Sequence, residues 1–284
     1  MKTLLQNPDI IFLIELSLRE DIGSGDHTSL ACVDENKSGE AFCLAKENCV
    51  IAGLDLAEFI FKKIDIELNF ISHCKDGDEL KNGEKIFSVS GNSISILTAE
   101  RTVLNFLQRL SGIATQSREI SNMLNEFNTK VLDTRKTIPG MRLLEKHAVK
   151  VGGSCNHRVG LFDMIMIKDN HIDFAGGIKE AIEKTHRYLK ANNLSLKIEI
   201  ETRNLNEVNE VIQVGGVDRI MLDNFSPTVI KQAVELINGK FETEASGGIT
   251  KQNIREFAAT GVDYISVGAL THSAKGIDLS LKVS

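Results

Sequence analysis

The runs that decide the fold are KVLDT (130–134), FDMIMIK (162–168), SLKIEIE (195–201), DRIMLD (218–223), KFETEA (240–245) and DYISVG (263–268). Each is short and rich in apolar or β-branched residues. Between them lie longer runs with apolar residues at helical spacing: MRLLEKHAVKVG, GGIKEAIEKTHRYLKAN, NLNEVNEVIQVGG, SPTVIKQAVELING and TKQNIREFAATG. Repeated βα units of this length predict a parallel sheet with helical crossovers. Six units fall short of an eightfold barrel, so an incomplete, open barrel and a doubly wound sheet both fit.

The half before about residue 112 reads differently. Residues 8–19 have helical spacing and run into a loop, EDIGSGDHTS. GEAFCLAKE, ENCVIAG, IELNFISHC and EKIFSVSG read as strands, LDLAEFIFKKI as a helix, and DGDELKNGE as a hairpin-like turn. From residue 93 to about 125 a long amphipathic helix is expected, with a break near Gly112. This half reads as α+β with an antiparallel sheet. The chain thus divides near residue 112 into an α+β half and a half of repeated βα units.

Composition sets the outer limits. With 284 residues, 42% hydrophobic and 25% charged, the chain has the make-up of one large or two modest globular domains. No apolar run approaches the ~18 residues of a membrane span. Asp9, Glu15, Glu20 and Asp21 make the N-terminal segment too acidic for a secretory signal, so a cytoplasmic location is expected. The five cysteines (Cys32, Cys43, Cys49, Cys74, Cys155) are irregularly spaced and form no C-x-x-C pair, which favours reduced thiols over disulfides or zinc. A net charge of −6 argues against nucleic acid and anionic membranes as partners. Its distribution says more: seven Lys/Arg against three Asp/Glu fall between residues 135 and 171. A basic island in an acidic chain predicts a compact anionic ligand.

Residues with chemical capacity recur at the carboxyl ends of the strand-like runs. In order they are Arg135 and Lys136; Lys168 with Asp169, Asn170 and His171; Glu201; Asp223; Ser246 and Gly247; and Gly268 with Thr271 and His272. In parallel α/β folds that edge binds ligands. SGGIT (246–250) and VGALTHS (267–273) let backbone approach an anion and are expected to open helices whose free N–H groups favour phosphate. Either glycine loop alone would read as a tight turn, whereas two at adjacent strand ends point to a phosphate cradle. Glu201 and Asp223 offer hard oxygens to Mg²⁺, with Glu199 on the same strand face as a further contributor; as capping acids they would carry no such meaning.

Arg135, Lys136, His157, Arg158 and Lys168 form the basic cluster. They flank Gly, Pro and strand ends instead of recurring at helical spacing, as a solvated face would. Arg grips a planar carboxylate through two parallel hydrogen bonds, and Lys acts as a mobile point charge. His147, Met164 and Met166 read as structural, and His27 after GSGD is only weak evidence for a nucleotide loop.

These residues sit in longer motifs: REDIGSGDHTS (19–29), ERTVLNFLQRLSGIAT (100–115), TRKTIPGMR (134–142), EKHAVKVGGSCNHRVGLFDMIMIKDNH (145–171), IEIET, IMLDN, EASGGIT and GVDYISVGALTHS. Together they resemble the quinolinate phosphoribosyltransferases, or decarboxylating nicotinate-nucleotide pyrophosphorylases, from about residue 19 to the end. The resemblance implies a Mg²⁺-dependent transfer of phosphoribosyl from phosphoribosyl pyrophosphate (PRPP) to quinolinate, with loss of CO₂. It implies an N-terminal α/β sandwich with an antiparallel sheet over residues 1–112, joined by the tail 273–284, followed by an incomplete, open α/β barrel over 113–272. It also implies a homodimer or hexamer in which one subunit's sandwich covers another's barrel mouth. Arg101 would reach the neighbour's quinolinate, and Arg135, His157 and Arg158 would bind its carboxylates with Lys168 close by. Lys136, Glu201, Asp223, Ser246, Gly247, Gly268 and His272 would hold PRPP and its metal. Catalysis would rest on Lys136, Lys168, Glu201 and Asp223. Ser154 departs from the pattern, standing where a third glycine is common.

Three other readings compete. A relative associated with molybdate transport shares much of the pattern without the Lys-Asp-Asn-His ending, which is present here. A Schiff-base aldolase would use Lys168 as an imine-forming amine. A non-catalytic phosphate sensor would need the glycine loops without the Glu201 and Asp223 pair.

Overall fold

Asn7 and Pro8 start the first helix. The Asn7 side chain accepts the Asp9 N–H at 2.9 Å, Pro8 occupies the first turn, and α1 (Pro8–Ile22) buries Ile10, Ile14 and Leu18. Asp26 caps α2 (His27–Cys32) by accepting the Ser29 N–H at 3.0 Å. The expected loop therefore shrinks to residues 23–26, and GSGD is a helix cap. The computed structural model describes residue 1 and residues 3–284, in two units. One comprises Met1–Glu119, Thr137–Gly153 and Leu270–Ser284; the other comprises Ile120–Lys136 and Ser154–Ala269.

In the first unit, alternation in SGEAFCLA makes β1 (Ser38–Ala45), which buries Ala41, Cys43 and Ala45. After β2 (Cys49–Val50), the Asp76 carboxylate accepts the N–H groups of Gly53 and Leu54 and so opens α3 (Leu54–Ile64). Then come β3 (Asn69–Ser72), β4 (Glu79–Leu80) and β5 (Lys85–Asn92). An antiparallel sheet forms in which β1 lies between β5 and the C-terminal strand Leu279–Val283, and β3 takes the far side of β5. Phe70 stacks on Phe87 at 4.8 Å, and Phe61 meets Phe87 edge-on. The short β2 and β4 pair separately.

The helix α4 (Ser93–Met123) is continuous through Gly112, contrary to the expected break. Glycine there serves packing: an added Cβ would lie 2.0 Å from the Lys275 carbonyl oxygen. One turn earlier, Arg109 donates to Glu145 (2.8 and 3.0 Å), to the Ala274 carbonyl (2.9 Å) and to the Thr271 carbonyl. Glu145 is fully buried on the helix Arg142–Val151. Burial pushes the Glu145 carboxyl up against the pull of Arg109.

In the second unit, six parallel strands stand in the order β6 (Lys130–Leu132), β11 (Tyr264–Ser266), β10 (Glu242–Ser246), β9 (Arg219–Asp223), β8 (Ile198–Thr202), β7 (Ile165–Ile167). β6 and β7 do not pair, so the barrel is open. Residues 154–158 run along the free edge of β6: the Cys155 N–H donates to the Val131 carbonyl at 2.8 Å, and the Asp133 N–H to the Cys155 carbonyl at 3.1 Å. The connecting helices include Asp169–Ala175, missed in the sequence because KDNHIDFA is too short and polar to show a periodic stripe. The others are Ile178–Ala191, Leu205–Val214, Pro227–Ile237 and Ile254–Ala258. Among the described residues no helix is long and apolar enough to cross a membrane.

Helix propensity and packing make opposite forecasts for Gly112→Ala. Propensity alone would stabilise by about 1 kcal/mol. The contact with the Lys275 carbonyl should instead destabilise by roughly 2 kcal/mol. Urea unfolding should therefore show a lower midpoint for the variant.

Candidate active site

Register brings the predicted residues together across one edge of the parallel sheet. Ile167 is level with Ile200, so Lys168 and Glu201 are the next pair along β7 and β8. Asp223 is level with Ser246 on β9 and β10, two residues beyond the level shared by Glu201 and Met221. The Lys168 ammonium lies 3.2 Å from Glu201 Oε2 and stays half-exposed. The Lys168 backbone N–H donates to His171 Nδ1 at 2.9 Å, so this histidine fixes the turn that carries the lysine.

Backbone pairing brings the segments of Arg135 and Arg158 side by side: the Asp133 N–H bonds the Cys155 carbonyl, and Asp133 Oδ1 accepts the His157 N–H. Burial and then the Arg135 charge hold the Arg158 pKa below its ordinary value. One Arg158 nitrogen donates to the Met164 carbonyl at 3.3 Å. Arg135 Nε is buried and has no hydrogen-bond partner among the described residues. A buried guanidinium donor of this kind, beside a second guanidinium, is suited to an anion. Lys136 follows on the exposed turn, where its N–H donates to Thr134 Oγ1 at 3.1 Å.

His157 lies deeper than the sequence indicated. Its ring is 6% exposed, with Nε2 3.0 Å from Glu199 Oε2 and 3.3 Å from Glu244 Oε2. Nδ1 accepts the Arg158 N–H at 2.7 Å, and the His157 N–H donates to Asp133 Oδ1 at 2.8 Å. Nδ1 is thus hydrogen-bonded, while Nε2 faces the two carboxylates at ion-pair distance without hydrogen-bond alignment. Glu199 is fully buried against His157, which corrects the expectation that it adds a metal ligand beside Glu201.

Burial opposes charge on the His157 ring, but Glu199 and Glu244 outweigh it and lift its pKa from 6.5 to about 9. Burial and the Glu244 charge raise Glu199 to about 7. Despite its burial, His157 and Arg219 (Nη1 at 2.9 Å) hold Glu244 below the usual carboxylate range. A second ring proton and the Nδ1 contact exclude each other. With that contact in place the ring is neutral and its one proton sits on Nε2, facing the carboxylates; charging the ring, as happens below about pH 9, puts a proton on Nδ1 and gives up the Arg158 N–H.

Glu201 Oε1 and Asp223 Oδ1 receive no protein hydrogen bond among the described residues, while Asp223 Oδ2 accepts from Asn224 Nδ2 at 2.6 Å. Two hard oxygens on neighbouring strand ends fit Mg²⁺, which completes its shell with water and phosphate. The Ser246–Gly247 loop is tight: Gly247 has φ +97°, and an added Cβ would meet Asn224 Oδ1 at 2.2 Å. The helix expected to open there begins only at Ile254, because Asn253 closes a turn first by accepting the Thr250 N–H and donating to the Gly248 carbonyl. Gly268, in contrast, leads directly into the four-residue helix Ala269–His272.

His272 and Arg101 fall within the first unit. Ser273 Oγ contacts His272 Nδ1 at 2.6 Å. Arg101 is exposed on α4 and forms no hydrogen bond or ion pair among the described residues. His147 pairs loosely with Asp76 at 3.8 Å, consistent with its structural reading.

Fold and site together define an α/β-barrel transferase acting on anionic substrates. Residues 26–111 match the family described as quinolinate phosphoribosyl transferase, N-terminal domain, and residues 113–282 match its C-terminal domain. The chain is 46% identical to the mitochondrial quinolinate phosphoribosyltransferase [decarboxylating] 2a of Nicotiana tabacum, over 97% of this chain and 82% of that one. It is 45% identical to the probable nicotinate-nucleotide pyrophosphorylase [carboxylating] of Bacillus subtilis, over 93% and 90%. The solved structure of the nicotinate-nucleotide pyrophosphorylase from Francisella tularensis superposes with TM-score 0.92 at 43% identity, covering 98% of each chain. The chain belongs to the quinolinate phosphoribosyltransferase family.

The sign of the pH dependence follows from the buried cluster. A proton bound more tightly in the folded than in the unfolded protein stabilises fully below the unfolded pKa and ceases to do so as pH climbs through the folded one. For His157 that window runs from 6.5 to about 9. Urea midpoints of the wild type should fall across this range, and His157→Gln should flatten the decline.

Proposed function

We propose that this chain joins quinolinate to PRPP and releases pyrophosphate and CO₂, giving nicotinate mononucleotide for NAD synthesis, with the strand-edge residues above as its site. The observation that carries the assignment of residues is a buried Arg135 guanidinium nitrogen without a partner among the described residues, on a turn tied by hydrogen bonds to the segment that carries Arg158. A planar dicarboxylate satisfies that donor, which a single sugar phosphate held by glycine loops would not. This favours the transferase over an aldolase.

The pyridine nitrogen forms a bond to the anomeric carbon as the bond to pyrophosphate breaks, and positive charge spreads over the sugar in the transition state. Lys136 and the glycine loops at Ser246, Gly247 and Gly268 bind the phosphates, with His272. Glu201 and Asp223 would hold Mg²⁺, which supplies neutralisation of charge growing on pyrophosphate. Once the nitrogen is alkylated, the ring is a pyridinium and accepts the electron pair left as the adjacent carboxylate departs as CO₂; a proton from solvent then replaces it on the ring carbon. A tight guanidinium grip on that leaving group would oppose its loss. Arg135 and Arg158 therefore clamp the other carboxylate, with Lys168 near by. Much of the rate comes from holding two anions together that otherwise repel.

The assembly is a homodimer or a multiple of it, with Arg101 serving a neighbouring subunit's quinolinate. Support comes from the unpartnered, exposed Arg101 and from large apolar side chains left exposed: Phe12 (62%), Phe162 (73%) and Phe174 (92%). Five unpaired cysteines suit a reducing compartment such as the cytoplasm.

Conversion of quinolinate and PRPP to nicotinate mononucleotide, with nicotinate as comparison substrate, tests the activity. Lys168→Met should raise the quinolinate KM more than the PRPP KM; an unchanged quinolinate KM defeats that assignment. Mixing Arg101→Ala with Lys136→Ala subunits should restore part of the activity, since each hybrid dimer contains one intact site. No recovery despite confirmed subunit exchange would rule out a shared site.

A further inference from the structure

The basic pair at the sheet edge is anchored from behind by a buried polar chain. Glu199 (β8) and Glu244 (β10) are both fully buried, and each places an oxygen within 3.3 Å of His157 Nε2. Arg219 on the intervening strand β9 holds Glu244 at 2.9 Å and Glu242 at 3.0 Å. Through the opposite ring nitrogen, His157 receives the Arg158 N–H, and through its own N–H it is tied to Asp133, two residues before Arg135. Both guanidiniums thus hang from backbone that this chain fixes.

We propose that Glu199, Glu244 and Arg219 are positioning residues for quinolinate: they lock the His157 ring, and through it the backbone of Arg158 and the Asp133–Arg135 turn, so that two repelling guanidiniums stay aimed at one carboxylate. The inference rests on the reading that Arg135 and Arg158 bind quinolinate. Without the lock, their repulsion would drive the two side chains apart in the free enzyme. Substrate would then have to gather them at the expense of its own binding. The effect falls on quinolinate first: of the groups proposed for PRPP only Lys136 shares the turn held through His157, while Glu201, Asp223 and Ser246 are carried by paired strand backbone of their own.

The same three ligand atoms of His157, Glu199 and Glu244 have a spacing that suits a metal ion. A cation there would face Arg219, already bonded to Glu244, which favours the ion-pair reading.

The test compares Glu244→Gln and Glu199→Gln in the full chain, assayed at a temperature where both are folded by circular dichroism. The quinolinate KM should rise about tenfold, the scale on which loss of a supporting contact lowers ligand affinity. The PRPP KM should stay within about twofold. Asp263→Asn is the control. Asp263 accepts the Thr243 N–H and hydroxyl at the opposite end of the same sheet, so this variant should lower Tm and leave both KM values alone. Glu199→Gln is isosteric and keeps the test open if Glu244→Gln does not fold. Quinolinate KM unchanged in the folded Gln variants, while Arg135→Lys raises it, overturns the positioning role alone. If Arg135→Lys is also silent, the quinolinate reading falls and the inference with it. Equal rises in both KM values point to general loosening and overturn it too.

Discussion

Two carboxylates sunk in the middle of a parallel sheet constrain everything built above them. Strands covered on both faces are normally continuous apolar runs. β8 is buried at all five positions, yet reads Ile-Glu-Ile-Glu-Thr. An unpaired carboxylate at that depth would either take up a proton or unfold its surroundings. Arg219 alone cannot satisfy Glu199, Glu242 and Glu244. His157 supplies the missing partner, and the segment that brings it must lie along β6. The isolated bridge between Leu132 and Cys155 is the backbone consequence.

The site above works against stability. Arg135 and Arg158 repel, and their charges are partly desolvated, so the empty site is less stable than a neutral one would be. The interior ion pairs make that arrangement tolerable by leaving the cations no easy route apart. Successive residues on one strand face lie roughly 7 Å apart along the chain. Glu199 and Glu201 therefore occupy two layers: the lower is sealed against His157, and the upper, largely buried itself, meets the half-exposed Lys168. The same residue type does structural and chemical work at adjacent levels of one strand.

Much of this was legible in the sequence. Alternating βα runs gave all six parallel strands, and the charged residues expected at their ends do gather along one edge of the sheet. What escaped depends on distances that no local pattern encodes. Gly112 looked like a helix breaker because propensity is local, while the carbonyl it accommodates is 163 residues away in sequence. Glu199 and Glu201 are indistinguishable by period, since both face one side; only their depth below the rim separates them. His157 stood among surface-like basic residues, and nothing in NHR announces a ring turned inward. A signal was nevertheless available: a second glutamate in a strand too buried for it demands a partner, and histidine was the candidate of suitable chemistry.

The glycine loop after β10 shows how an expected helix N-terminus can give way to a different local geometry. A helix terminus attracts anions only within about its first turn. The helix after Gly248 begins at Ile254, with the turn closed by Asn253 between them, so its dipole does not reach the loop. What makes the loop a cradle is steric. Gly247 sits at positive φ with Asn224 pressed against the face where a side chain would project, and Asn224 in turn bonds Asp223. The loop and the carboxylate of the neighbouring strand are therefore one unit. A side chain at position 247 would displace Asn224 and with it the orientation of Asp223. The glycines proposed for phosphate and the acid proposed for metal are coupled through a contact that neither motif contains by itself.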